Sequence, residues 1–514
     1  MQKLIHIYRV NYIKQSIDGA LKKPVTWGTW MLVLGEVIAL GIVVAAATSW
    51  FGTTDAISIV LAMMIAYLIP RFIYSRTRPC QWGQWWLLVL ATALAIYVIL
   101  SIKACTIDVG NTLEMPQLKS DDGSYYRWAL ANYDGRCDEP YILFKGLPII
   151  MLGMWKVLGV SIVWPIALNY MFTLLTIVVT GMIARRLLTP RFDNVKPATI
   201  AAVAMIMVSL MGFFLSQGVR IQKEAACSLG MALVGYSFVG FSINTHDKRE
   251  QRNDIIAFVL GLLLVALVRS HFGYFIVIGA LMMSLAHKRS QWKRGVIMAV
   301  IALLFTVLFN YLFSYTIEHQ YLIIDGGDTM AHDFKAGFTQ QPYFSLIGDY
   351  YYYPEWVRLL LLPVTGAVQY VIPFPWLYDL SDVTPFELLP RMRFMWYFVG
   401  GVCLHYYLYI SVVRYKQTNL GMWAWWPLMV FFIIAFITAG SVSRYILPLQ
   451  PLFVVIALYV ILCVHEGHYR RSFLLWMIVY TLILVALLIL CYHTQVEYID
   501  SLDEYYRLKA KHLI

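Results

Sequence analysis

Charge is scarce in this chain. Asp, Glu, Lys and Arg together make up 13% of its 514 residues, about half the share usual in a soluble globular domain. No polar stretch is long enough, or patterned suitably, to fold as a soluble domain with its own core. No CxxC pair occurs among the seven cysteines. Cys80, Cys227, Cys403, Cys463 and Cys491 lie in or beside apolar runs and read as packing residues. Cys105 and Cys137 share one polar loop, where they can pair across it in an oxidising space or stay as two free thiols. There is no internal repeat, which weighs against a two-fold transporter design. No cleavable leader is evident, because the first apolar run is long enough to span and stay.

Hydrocarbon-soluble sequence is abundant: 60% of residues are hydrophobic and mean hydropathy is +0.66. A spanning helix needs about 20 apolar residues. The runs here are too long and continuous for barrel strands, so the predicted fold is all-α and polytopic. The net charge of +11 does not point to nucleic acid. Basic residues sit in short turns between apolar runs, the positive-inside pattern of a membrane protein.

Residues 1–27, with Lys3, Arg9, Lys14, Lys22 and Lys23, read as a cytoplasmic amphipathic arm. Residues 28–102 hold three spans, with Glu36 inside the first. Residues 103–160 form an outer acidic loop and an interfacial helix. Residues 161–315 form a bundle that includes a span at 197–215 and whose runs at 255–268 and 272–286 are short for spans. Residues 316–393 are an outer loop with a re-entrant segment at Glu355–Pro375, broken by Pro363, Pro373 and Pro375. Residues 394–492 supply the last spans, and 493–514 are a tail. This reading gives about 13 spans, with the N-terminus cytoplasmic. More than half of the Lys and Arg then fall inside and most of the Asp and Glu outside.

A charged residue at membrane depth costs roughly 2.5–3.5 kcal/mol on insertion scales, so each suggests a polar cavity or a partner. Four groups fall on the predicted outer side. Asp121 and Asp122 can take a proton from an attacking hydroxyl or hold a metal that bridges phosphates; DDG is also ordinary turn chemistry. Arg220, Lys223 and Glu224 lie in one short turn. The cations suit a phosphate, and Glu224 equally suits a helix start. Arg269 and His271 lie between two short helices, where Arg269 is a phosphate ligand or a snorkelling interface residue. Arg444 and Tyr445 precede Pro448 and Pro451, which loosen a helix start and free backbone groups. Tyr125, Tyr126 and Trp128 suit sugar stacking or an interfacial aromatic belt.

Three stretches resemble the C-type (GT-C) superfamily of polytopic glycosyltransferases. They are Asp121-Asp122 with Tyr126 and Ala129 in the first large loop, the segment PYILFKGLPIIMLGMWKVLG, and the late RYILPLQP. The chain departs from that family twice. Its acidic loop follows the third span, not the first, and its acidic pair is Asp-Asp, not Asp-Glu or Asp-x-Asp. The resemblance implies a polyprenyl-phosphate-linked sugar donor, a glycan, lipid or protein acceptor, and inversion at the sugar. It makes Asp121 or Asp122 the base, with Asp122 the closer match by its spacing to Tyr126. It makes Arg220, Lys223, Arg269 and Arg444 ligands of the departing phosphate. The site has no metal requirement that the sequence fixes. The implied setting is a bacterial inner membrane with the site on the periplasmic face. A polymerase or ligase of lipid-linked oligosaccharide is the nearest alternative, and a transporter or flippase the next.

Overall fold

The computed structural model describes residues 27–118, 120–135, 146–243, 247–286, 292–321, 394–413, 420–438, 443–483 and a few positions beyond. The arm at 1–26, Cys137 and the segment Glu355–Pro375 lie outside these. Among the described residues the chain is all-helical, with no strand. Seven helices among the described residues are long and apolar enough to cross a membrane.

The first three are α1 (Trp27–Trp50), α2 (Thr53–Arg76) and α3 (Gln81–Thr106). A short polar helix, α4 (Ser120–Tyr133), and an apolar one, α5 (Gly146–Leu158), follow. Next come α6 (Val163–Leu188), α7 (Pro197–Ser209), α8 (Gly212–Gln217), α9 (Glu224–Ile243), α10 (Lys248–Arg269), α11 (Phe272–Ala286) and α12 (Trp292–Tyr321). After residue 393 a π-helical stretch, Tyr397–Cys403, runs into α13 (Leu404–Val413). Then come α14 (Met422–Thr438) and a 3-10 turn, Ser443–Leu449, that leads into α15 (Gln450–His465).

Burial sorts these helices. The spans built on α6 and α15 are covered on nearly every side, whereas those of α1 and α12 are exposed along most of their length. A helix that is apolar all round belongs either inside a bundle or against lipid; α6 and α15 take the first place and α1 and α12 the second. Lipid gives apolar helices no hydrophobic reason to associate, so close backbone packing must hold them. One close crossing joins α9 to α10. A Cβ on Gly230 would lie 2.8 Å from the Gly261 carbonyl oxygen, and one on Gly261 2.6 Å from that of Gly230. Side chains at either position would push the helices apart.

Three elements differ from the sequence expectation. The run 255–268 is not short: α10 begins at Lys248, because the Asp247 carboxylate caps it by accepting from the Arg249 N–H at 2.9 Å. The run 197–215 is broken, with α7 ending at Ser209 and α8 starting at Gly212. Ser209 takes part in the break, since its hydroxyl bonds back to Ile206 and accepts from Trp86 Nε1–H at 2.7 Å. Finally, the Asp121-Asp122 stretch is not a turn but the first turn of α4.

Polar contacts mark the two ends of the bundle. At one end Arg185 donates to the Thr77 carbonyl, Arg186 pairs with Asp254, and Arg294 donates to Gln251 at 3.1 Å. The basic turns meet here. The opposite end carries α4 and α5, with Asp122 and, at the start of α9, Glu224.

Candidate functional site

The site begins with α4, whose inner face is Tyr125, Tyr126 and Ala129, all buried. The Tyr126 ring meets Trp155 of α5 edge-on, with centroids 4.8 Å apart. Its hydroxyl donates to the Glu114 carbonyl at 2.8 Å. Burial pushes the Tyr126 phenol above its usual range, so it remains a proton-bearing donor. Trp155 is tied in turn to the Ser161 carbonyl at 3.0 Å. Gly146, at the start of α5, lies against the Leu267 carbonyl of α10, where any side chain would overlap that backbone. These contacts seat α4 over the ends of α9 and α10.

Asp122 is half-buried, and its Oδ1 accepts from Gln222 Nε2–H. Gln222 lies in the stretch between α8 and α9. Asn169 of α6, fully buried, holds that stretch by donating from Nδ2 to the carbonyls of Arg220 at 2.6 Å and Gln222 at 2.8 Å. The next residues are Lys223, which is buried, and Glu224, the first residue of α9.

Glu224 Oε1 pairs with Nη2 of Arg269, the last residue of α10, and both side chains are 1% exposed. The pair suits its place. A carboxylate is stabilised at a helix N-terminus and a cation at a C-terminus. The Arg269 guanidinium also lies 4.6 Å from the Tyr445 ring centroid and 5.6 Å from that of Phe272, within cation–π range. Tyr445 is set there by the 3-10 turn that precedes α15.

The site is under-bonded. Arg269 Nε and Nη1, Glu224 Oε2, Gln222 Oε1 and Asn169 Oδ1 are buried and make no hydrogen bond among the described residues. Buried polar atoms are nearly always paired, and an orphan there normally marks water or a ligand. In the adjoining turn, Ser270 donates to Asn310 Oδ1. His271 itself is exposed. Desolvation, with the Arg269 and Lys223 charges behind it, lowers its imidazole to about 4.

Of the residues singled out from sequence, Asp122, Tyr126, Lys223, Glu224, Arg269, His271 and Tyr445 gather at this one end. Arg220 stands exposed at its rim, with its carbonyl inside the site. Asp121 lies in α4 and Arg444 in the 3-10 turn; their side chains lie outside the described set. Arg269, expected as a phosphate ligand or a snorkelling interface residue, has its charge matched by Glu224. Cys105 is a free thiol that bonds to the Ser101 carbonyl at 3.0 Å. Sequence reading missed Gln222 and Asn169. Both are uncharged, and the available signal was an Asn inside an otherwise apolar span. Among the described residues no three His, Cys, Asp or Glu side chains gather as a metal-ligand set.

Compared with known protein families, with curated proteins and with solved structures, the chain matches none of them.

Proposed function

We propose that this protein is a membrane glycosyltransferase. It moves a sugar from a polyprenyl-phosphate-linked donor to a glycan, lipid or protein acceptor, with inversion, at the outer face of a bacterial inner membrane. About thirteen passes carry the chain through the bilayer, with the N-terminus cytoplasmic and the basic turns inside, as the positive-inside bias favours.

The observation that carries the reading is the meeting of Asp122, Gln222, Glu224, Arg269 and Tyr445. Four separate segments deliver them to the bundle end opposite the basic turns. A half-buried carboxylate held by Gln222, the residue before the buried Lys223, fits displacement at an anomeric carbon. The acceptor oxygen attacks that carbon as its proton passes to Asp122. The bond to the phosphate oxygen breaks, and its electron pair leaves on the phosphate. Lys223, Arg220 and Arg444 supply the positive charge that this step needs. Arg269, already neutralised, holds Glu224 and the start of α9 in place. Gln222 orients the Asp122 carboxylate.

The test is transfer from a labelled polyprenyl-phosphate sugar by the purified protein in lipid. Asp122→Asn is expected to lose at least about a hundredfold in rate, the range of a positioned general base, with unchanged thermal stability. Asp121→Asn serves as its comparison. Full transfer by both variants removes the role assigned to α4.

A further inference from the structure

Glu36 takes no part in that site. It lies two turns into α1, at membrane depth, where an ionised carboxylate requires a reason. Its Oε1 accepts from the Tyr67 hydroxyl at 3.0 Å and from Arg71 Nε–H at 2.6 Å, both on α2. Its Oε2 has no hydrogen-bond partner among the described residues.

Glu36 and Tyr67 stand at one end of a cleft of about 220 Å³ between α1, α2, α3 and α6. The other walls are mostly apolar, among them Ala39, Val43, Val60 and Met64, and the hydroxyls of Thr92 and Tyr170 on the lining already donate to the Leu88 and Ala91 carbonyls. Small side chains on α1 and α3 leave the space. From Glu36 to Val43 the cleft runs about 10 Å along the helix axis, at 1.5 Å per residue. The polar end lies toward the basic turns, since Arg76 ends α2 only a turn beyond Arg71. Val37 and Leu68, on the lining, are 61% and 49% exposed, so the cleft opens sideways to the surrounding lipid.

We infer that this cleft binds a neutral lipid alcohol, with its hydroxyl on Glu36 and its chain along the apolar wall. Three facts select that chemistry. Arg71 already balances the Glu36 charge, so the end of the cleft has no net charge to offer an ion. The uncommitted oxygen of Glu36 is an acceptor, which calls for a donor such as a hydroxyl and repels a phosphate. The depth suits a group that enters hydrocarbon without desolvating a charge. The site is separate from the acidic end of the bundle, and its occupancy does not depend on sugar transfer.

The experiment is photocrosslinking of the full-length protein in nanodiscs with a diazirine-bearing long-chain alcohol, mapped by peptide mass spectrometry. Labelling is expected on α1 between 36 and 43 and on α2 between 60 and 67. Excess dodecanol should compete it away; dodecane and dodecyl phosphate should not. Ala39→Phe, which fills the cleft from a half-exposed position, should abolish it. Glu36→Gln should weaken dodecanol competition at least about tenfold, as expected for loss of a charge-assisted hydrogen bond. Equal labelling of the lipid-facing side of α12, or equal competition by dodecane, overturns the proposal. So does undiminished labelling of a folded Ala39→Phe protein. The competition series on the unaltered protein decides the matter if either variant fails to fold.

Discussion

At the scale of single residues, the Glu224–Arg269 pair governs the site. Both charges are buried, and removing one leaves the other without compensation, at a cost of about 3–5 kcal/mol. Arg269→Met alone is therefore expected to destabilise the protein strongly in thermal unfolding. Replacing both partners together, as Glu224→Leu with Arg269→Met, should recover most of that loss. If the pair only supports the fold, the double variant keeps sugar transfer. If it positions Gln222 and Lys223 as proposed, transfer stays lost although stability returns. A second residue-level expectation concerns acid. Desolvation, with the Arg269 and Lys223 charges, lowers His271 from its ordinary value of about 6.5 toward about 4, and its exposure to solvent screens part of that effect. The unfolded chain binds that proton first, so its contribution is full above about pH 6.5 and declines as pH falls toward 4. Measured as melting temperature against pH, the decline in that window should be shallower in His271→Gln.

At the scale of elements, the apolar runs were legible and their interruptions were not. Hydropathy placed three spans within 28–102, where α1, α2 and α3 lie. The break between α7 and α8 depends on Trp86 reaching Ser209 from another helix, which no local pattern encodes. The Asp121-Asp122 stretch was read as loop chemistry because DDG is common in turns. Its helical signal lay further on, where Tyr126, Ala129 and Leu130 repeat at helical spacing. The charged members of the site were visible as costly residues in a hydrophobic chain. Gln222 and Asn169 were not, because an uncharged side chain acquires meaning only from what it touches. The docking of α5 on α10 can be tested directly. Gly146→Ala places a methyl on the Leu267 carbonyl, and overpacking of this kind costs about 1–3 kcal/mol. Lower thermal stability is expected, together with faster proteolytic cleavage within α5. Unchanged behaviour in both assays would show that α5 is not tied to α10 as described.

At the scale of the whole molecule, the bundle has two chemically distinct ends, one of basic turns and one of the clustered site. Cysteines introduced singly at Asp108 and Glu250, both solvent-facing, should differ in reactivity toward a membrane-impermeant maleimide on intact cells. The proposed orientation expects labelling at 108, and at 250 only after the membrane is opened. The reverse pattern inverts the topology and with it the compartment of the reaction.

The hairpin of α9 and α10 also bears on how the chain is made. Glu224 and Arg269 are 45 residues apart, and a nascent chain grows by about 5–20 residues per second. Each would be expensive to insert alone. Because Gly230 and Gly261 let the two helices close tightly, the charges can meet within seconds of synthesis and enter the bilayer as a neutral unit. Tyr445 is made much later and arrives to cover a pair already formed. Lengthening the α9–α10 connection should therefore lower the yield of inserted protein more than an equal insertion after α12, even where the finished fold tolerates both.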